Sequence, residues 1–153
     1  MTEIEKVKIY LSNENAKIPT QAYKNDVGYD IYAVEDYTVP FGAVVEIKTG
    51  VHLILPTGLF AQINTRSNAG KQGFYVHHGV IDPDFTGEIT IFFFNVCATV
   101  DNNGMVKKEE KTIKKGEKVA QILFHRAEYP KFEQTTTLPE TERGEKGFGS
   151  SGL

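Results

Sequence analysis

The chain has 153 residues, a length that predicts one domain with its own hydrophobic core. Its composition, 40% hydrophobic and 24% charged, is that of a globular protein and excludes a disordered, coiled-coil or collagen-like chain. The formal net charge of -3 provides no whole-molecule positive field, so we expect no nucleic-acid partner and no membrane partner. Any binding of a phosphate group must therefore be local.

The N-terminal residues alternate charged with apolar side chains and lack the uninterrupted apolar stretch of a signal peptide. No stretch approaches the ~20 apolar residues that a membrane-spanning helix needs. The single cysteine, Cys97, lies in an apolar run and has no internal disulfide partner. We interpret it as a small buried hydrophobe in a reducing compartment, not as a nucleophile. The sequence therefore predicts a soluble intracellular protein, cytoplasmic or nuclear.

Short runs rich in Val, Ile, Tyr and Phe recur along the chain between glycine, proline and asparagine turn signals, a pattern typical of β-strands. No segment keeps a 3.6-residue apolar period for three turns, so little helix is expected beyond one turn near 67–71. We predict an all-β sandwich, jelly roll or barrel. In chain order the predicted strands are 7–11, 29–33, 43–47, 51–55, 59–64, 88–96 and 119–125.

The run Ile91-Phe92-Phe93-Phe94 is apolar on both faces of its predicted strand. Such a strand should be covered on both sides. A partner subunit is one way to cover it, and a position between two sheets of a single monomer is the other.

The common catalytic motifs are absent: there is no P-loop, no G-x-S-x-G, no C-x-x-C and no H-E-x-x-H. The adjacent His77 and His78 would point to opposite faces of a strand, so they form a poor metal chelate and are interpreted as surface or packing residues. Chemistry is better sought in three polar, glycine-bearing segments between strands. These segments are 65–73, 79–88 and 143–152.

Each segment taken alone permits a plain alternative. Arg66-Ser67-Asn68 combines a forked cation, a hydroxyl and backbone amides that suit a phosphate, but a capped helical turn has the same composition. Asp82 follows two apolar residues and could accept a proton from water, but Asp-Pro-Asp is also a common turn. The tail, with Arg143 and Phe148, could wrap an anionic ligand and stack on a ring, although a terminus is disordered by default.

In their fixed order, these segments together resemble the motifs of the trimeric dUTP pyrophosphatase (dUTPase) family. The resemblance implies a distorted jelly roll or β-clip barrel with little helix, assembled as a homotrimer with active sites at subunit interfaces. It also implies a domain over 1–142 and a flexible glycine-rich arm over 143–153 that closes over a neighbour's site. The five matching segments are 28–33 (GYDIYA), 66–73, 79–88, 115–122 and 143–152.

By this resemblance, the reaction is Mg2+-dependent hydrolysis of dUTP to dUMP and pyrophosphate by water attack on the α-phosphorus. This reaction limits uracil entry into DNA and supplies dUMP for dTMP synthesis. Asp82 is implied as the residue that orients and deprotonates the water, and Asp30 as a contact to Mg2+ through water. The implied substrate-binding residues are Arg66, Ser67, Asn68, Gly79, Phe85, Gln121, Arg143, Phe148, Gly149 and Ser150.

Two departures from the family pattern carry expectations of their own. Phe85 stands where the family usually has a tyrosine beneath the deoxyribose; it keeps the flat face but loses the phenol, so we expect sugar discrimination to survive. Segment 96–114 is longer than usual and is expected to form an extended surface hairpin. A structural carboxylate near a turn remains an alternative for Asp30.

Two other functions stay open. One is a dCTP deaminase of the same fold, which would need a catalytic glutamate on the strand after Glu88, where this chain has Thr90-Ile91-Phe92-Phe93. The other is a nucleotide-binding regulatory protein that resembles dUTPase without its activity.

Overall fold

The computed structural model describes residues 6–147, which form thirteen β-strands and one short helix. This confirms the all-β prediction with little helix, and the predicted helical turn at 67–71 is present. The seven predicted strands are all found, each with bounds within two residues of those expected. The elements are β1 (Lys8–Leu11), β2 (Tyr29–Tyr32), β3 (Tyr37–Val39), β4 (Val44–Lys48), β5 (Val51–Ile54), β6 (Leu59–Asn64), α1 (Ser67–Lys71), β7 (Phe74–Val76), β8 (Val80–Ile81), β9 (Thr90–Asn95), β10 (Ala98–Val100), β11 (Val106–Lys108), β12 (Lys111–Ile113) and β13 (Lys118–Arg126).

The largest sheet among these residues has four antiparallel strands in the order β2-β13-β6-β8. Its long strand β13 pairs on one side with β2 and on the other with β6. The register of β13 shifts between Lys118 and Ala120, so the consecutive residues Val119 and Ala120 are both buried in the core, and Ile122 is buried two residues further on. This sheet therefore brings residues from distant parts of the sequence into neighbouring rows.

A three-stranded sheet has the order β4-β9-β7 and carries the Ile91–Phe94 run on its central strand. Ile91 and Phe93 are buried, but the Phe92 side chain on the opposite face is 44% exposed. The alternative that both faces are covered within one monomer is therefore wrong for the described residues. Val44 and Tyr75 flank β9 on its two neighbouring strands and are also exposed.

The core is a single cluster of aliphatic and aromatic side chains drawn from both larger sheets and from the shorter pairings. Full burial of one such aliphatic side chain stabilises the fold by roughly 1.5–3 kcal/mol. Cys97 packs against this cluster but is only partly buried, so its predicted burial is met in part. The fully buried large side chains include Ile31, Ile47, Leu53, Ile91, Ile113 and Ile122.

Segment 96–114 contains an antiparallel hairpin, β10 with β11, in which every strand residue is exposed. Its turn is closed by Asp101, whose Oδ1 accepts the backbone N–H groups of Asn103 and Met105 at 2.9 Å each. The predicted surface hairpin is therefore confirmed. At its base the fully buried Asn95 donates through Nδ2 to the carbonyls of Val39 and Glu109, both at 2.8 Å.

Within residues 6–147, no helix has the length and apolar character required to cross a membrane.

Candidate active site

The site begins with a row of polar residues across the four-stranded sheet. Gln121 on β13 lies opposite Asp30 on β2 and opposite Asn64 on β6. Arg66 follows two residues after Asn64, at the point where β6 has ended. Three of the matching segments thus meet at one end of the sheet because β13 pairs with both neighbours.

Asp30 is the electrostatic centre of this end. Its side chain is nearly buried and both carboxylate oxygens are paired: Oδ1 accepts Arg66 Nε at 2.8 Å, and Oδ2 faces Lys118 Nζ at 2.6 Å. Bonds between charged groups are stronger than neutral hydrogen bonds and fix the orientation of a guanidinium. In this structure the Asp30 carboxylate therefore fixes the Arg66 side chain, and its expected contact to Mg2+ through water stays a prediction.

Gln121 contacts two loops, one at Thr65 and one at Gly28. Its Nε2 donates to the carbonyl of Thr65 at 3.1 Å, while its Oε1 lies against Gly28. A Cβ added at Gly28 would overlap that oxygen, so any other residue there would displace the amide group of Gln121. The predicted role of Gln121 in substrate binding stays a prediction.

A cavity of about 440 Å³ opens at this end of the sheet. It is open to solvent and combines backbone near Gly28 with the charged groups described above. Ser67 and Asn68, which begin helix α1, contribute to its wall and are exposed. The residues that line it are Ala22, Asp26, Val27, Gly28, Asp30, Arg66, Ser67, Asn68 and Gln121.

Helix α1 begins without a capping side chain, because Arg66 in extended conformation occupies the position before it. Serine, threonine, asparagine or aspartate would normally bond the first amides at that position. The side chain of Arg66 is instead directed to Asp30. The segment from Arg66 to Asn68 is therefore one element with a cation, a hydroxyl and uncapped amides.

A second, smaller cavity of about 140 Å³ lies beside β8. Gly79 and Phe85, both predicted to bind substrate, are among its lining residues, together with Phe92 of the neighbouring sheet. The Phe85 ring packs over Gly87, where an added Cβ would lie 2.6 Å from Cζ. The two cavities share no lining residue.

Asp82 follows β8 directly and its side chain is exposed. Its carbonyl accepts the N–H of Phe85 at 3.1 Å, so Asp82-Pro83-Asp84-Phe85 is a turn, as the plain alternative expected. The turn and a proton-accepting role are compatible, because the carbonyl closes the turn and the carboxylate stays free of it. Asp82 lines neither the larger nor the smaller cavity of the single chain.

Arg143 is exposed and far along a segment without strands. Its Nε donates to the carbonyl of Lys146 at 3.1 Å, and Gly144 adopts a positive φ in the same turn. Phe148, Gly149 and Ser150, predicted to bind substrate, lie outside the described residues. Their predicted roles and that of Arg143 stay predictions.

Sequence reasoning missed three residues of the site. Asp26 lines the larger cavity, Lys118 pairs with Asp30, and Thr65 joins the loop to its supports. Asp26 and Thr65 lie within two residues of matching segments, and Lys118 lies inside one. Their position in or near these segments is the signal by which the three residues could have been found. Their contacts could not be predicted, because the contacts depend on strand register.

Comparison with known proteins finds relatives over nearly the whole chain. The dUTPase family model matches residues 14–152. The chain belongs to the dUTPase family. It is 38% identical over 149 residues to the deoxyuridine 5'-triphosphate nucleotidohydrolase of swinepox virus, covering 96% of this chain and 97% of that protein. Against the human mitochondrial protein of that name it is 36% identical over 141 residues, 92% of this chain and 52% of the relative.

The chain thus spans about half the length of the human relative and 64% of the rat one, but nearly all of the swinepox dUTPase. Among solved structures, a Staphylococcus bacteriophage 80alpha dUTPase mutant with dUpNHpp matches with a TM-score of 0.85 and 27% identity, covering 98% of this chain and 100% of that one. A dUTPase mutant from phage phi11 of S. aureus matches with a TM-score of 0.75 and 23% identity over 87% of this chain and 98% of that one. That phi11 structure concerns the coordination of a structural Mg(II) ion.

Proposed function

We propose that this chain hydrolyses dUTP to dUMP and pyrophosphate. The observation that carries the proposal is the convergence of Arg66, Ser67, Asn68 and Gln121 on one cavity of about 440 Å³, in a chain matched by the dUTPase family over 14–152. Arg66 and the start of α1 would bind the phosphates. A triphosphate ester needs charge neutralisation and alignment more than covalent help, and this is what such residues supply.

Asp82 would orient the attacking water and accept its proton. The water oxygen bonds to the α-phosphorus as the bond to the bridging oxygen breaks, so dUMP and pyrophosphate separate. The position of Asp82 supports this role: the carboxylate is exposed at the end of β8, while the backbone of the turn is fixed by the Phe85 N–H.

Mg2+ would assist by neutralising charge on the triphosphate. The residues described here contain no cluster of three His, Cys, Asp or Glu side chains that could hold a metal ion. Mg2+ keeps waters and substrate oxygens as ligands and needs no protein cage, so the donor set fits an ion carried by the substrate. Asp30 would meet that ion only through water, since both of its oxygens are paired with cations.

The smaller cavity beside β8 would take the deoxyuridine. Gly79 lines it without a side chain, so uracil could approach the nearby backbone, whose main-chain groups can match its hydrogen-bonding edge. Phe85 would lie beneath the deoxyribose and collide with a 2'-hydroxyl. Turnover of UTP should therefore be far below that of dUTP, and comparable turnover of the two would contradict this assignment.

We propose that the working enzyme is a homotrimer with sites between subunits. Three observations support it. The first two are that the larger and the smaller cavity of one chain share no lining residue, and that the face of β9 that carries Phe92 is exposed. A third is the segment after β13, where Phe132 is 98% exposed. Large apolar side chains left exposed together indicate a protein–protein contact.

We further propose a division into a β domain over 1–142 and an arm over 143–153 that closes over a neighbour's site. Residues 127–147 form no strand or helix, and nearly all are exposed, which supports a segment that serves another subunit. Arg143 would contribute charge, Phe148 would cover the uracil, and Gly149 and Ser150 would bring backbone amides to the phosphates.

The deaminase alternative is disfavoured by the contacts of Glu88. Its Oε1 accepts the Gly50 N–H at 2.8 Å, which gives this carboxylate a structural partner, and β9 after it carries no carboxylate. A nucleotide-binding regulatory protein without activity could use Arg66 to bind phosphate, but it would have no need for a proton acceptor at Asp82.

One experiment separates these functions. The protein is incubated with Mg2+ and dUTP, dCTP, UTP or dTTP in separate reactions, and pyrophosphate and ammonia are followed. We expect pyrophosphate from dUTP and no ammonia from dCTP. Ammonia from dCTP would identify a deaminase, and the absence of pyrophosphate with dUTP would refute the proposed hydrolysis.

A further inference from the structure

The entry to the phosphate-binding segment is fixed by one residue, Thr65. Its carbonyl accepts Gln121 Nε2 at 3.1 Å, and its hydroxyl oxygen accepts the Val76 N–H at 3.0 Å. Its N–H donates to His78 Nε2 at 3.2 Å, and the hydroxyl lies at the same distance from that nitrogen. Two separate parts of the fold, strand β13 and the segment from β7 to His78, therefore contact the residue directly before Arg66.

His78 is the unexpected member of this set. It lies after β7 and directly before Gly79, whose carbonyl accepts the Ile63 N–H at 2.9 Å. The sequence indicated only a surface or packing histidine. The contact requires a neutral ring with its proton on Nδ1, because Nε2 must accept. His78 thus joins the segment leading to Gly79 and Asp82 to the segment leading to Arg66.

We propose that His78 is a positioning residue for phosphate binding, acting through Thr65, an inference that rests on the proposed phosphate role of the segment from Arg66 to Asn68. Thr65 is only partly buried and His78 is exposed, so loss of the contact lets water take the place of the ring. The fold survives this exchange, since the Val76 and Gln121 bonds to Thr65 remain. Without the contact, Arg66 and the backbone amides after it can adopt a wider range of orientations. Phosphate binding then weakens, because it depends on the alignment of these groups.

Two amide substitutions test the contact with matched chemistry. His78→Gln places an acceptor oxygen at about the reach of Nε2, whereas His78→Asn carries the same group one methylene short of it. We expect the Asn variant to bind pyrophosphate about three- to tenfold more weakly, the change that corresponds to one neutral hydrogen bond. The Gln variant should stay within about twofold of the original protein. Binding of 2'-deoxyuridine, which has no phosphate, should be unchanged in both.

Pyrophosphate and 2'-deoxyuridine affinities are measured by calorimetry on the full chain, and exchange of the Thr65 backbone amide is followed by NMR. Faster Thr65 exchange in His78→Asn, with protection kept in His78→Gln, supports the contact itself. Equal behaviour of the two variants, or parallel loss of both ligands, overturns the proposal and makes His78 a general structural residue. These readouts need no dUTP turnover, so a failure of the proposed hydrolysis, seen with the unmodified protein, is distinguished from a failure of this inference.

Discussion

Asp30→Asn tests whether the central carboxylate holds Arg66 or serves the metal ion. The substitution keeps the shape and one acceptor oxygen but removes the charge that faces Arg66 Nε at 2.8 Å and Lys118 Nζ at 2.6 Å. A hydrogen bond to a charged group contributes about 1.5–3 kcal/mol. The side chains of Arg66 and Lys118 are 29% and 37% exposed, so solvent screening reduces both contributions.

We therefore expect the free energy of unfolding to fall by about 2 kcal/mol, well below the sum of two unscreened bonds. Without the Asp30 carboxylate, the positive charge of the Arg66 guanidinium is no longer neutralised by a neighbour, and its orientation is no longer fixed. Because alignment dominates phosphoryl transfer, we expect kcat/KM for dUTP to fall by about 10- to 30-fold.

The assay is urea unfolding together with initial rates of dUTP hydrolysis over a range of Mg2+ concentrations. A carboxylate that positions Arg66 gives a loss that persists at saturating Mg2+. Recovery of full activity at high Mg2+, with unchanged stability, would refute the positioning role and restore the metal role. Asp26→Asn is the matched control, since it removes a charge from the same cavity wall but Asp26 Oδ2 accepts only the Tyr23 N–H, at 3.0 Å.

Three further outcomes are expected. Asp82→Asn should abolish turnover and leave dUpNHpp binding largely intact, because the amide keeps the shape but is no base; calorimetry that finds binding lost as well would make Asp82 structural. A chain ending at residue 142 should keep its fold and assembly by circular dichroism and sedimentation but lose most activity, and full activity would remove the closing role of the arm. Burial raises the pKa of Tyr37 from 10.0 to about 12, although the hydrogen bond from the Lys48 N–H acts in the opposite direction. The contribution of Tyr37 to the free energy of unfolding is therefore complete below pH 10 and is lost as the pH rises towards 12. In Tyr37→Phe, urea unfolding between those pH values should lose less stability on alkalinisation, and an unchanged pH dependence would contradict this assignment.

The strands that sequence reasoning found and those it missed differ in what fixes them. Strands β6 and β13 have six and nine residues, which is long enough for an apolar pattern to be read locally: Ala61 and Ile63 are buried between partly buried neighbours on β6, and Val119, Ala120 and Ile122 are buried on β13. Strands β3, β7, β8 and β12 have only two or three residues each. No local pattern develops over that length, and the partner strand decides the conformation. β12, for example, pairs with β3 across more than seventy residues of sequence.

The site was predictable in its residues but not in its contacts. Segment order indicated that Asp30, Arg66 and Gln121 belong together, and the register of β13 brings them to one row. The bond from Thr65 to His78 could not be predicted, because it depends on where β7 ends and how the chain turns before Gly79. Adjacent histidines in the sequence look alike, whereas only one of them faces the phosphate-binding segment.

The charges around the larger cavity, which is the proposed phosphate site, bear on the proposed assembly. Its wall contains Arg66 but also Asp26 and Asp30, and Lys118 next to it is already paired. The formal charges of these four groups cancel, so one chain offers a highly anionic triphosphate an oriented guanidinium and amides but no net positive charge. The missing positive charge must come from outside this set, and Mg2+ and Arg143 of an arm are the sources that the proposal provides. A site of this kind should fail when either source is removed, because alignment by Arg66 alone leaves the phosphate charge uncompensated.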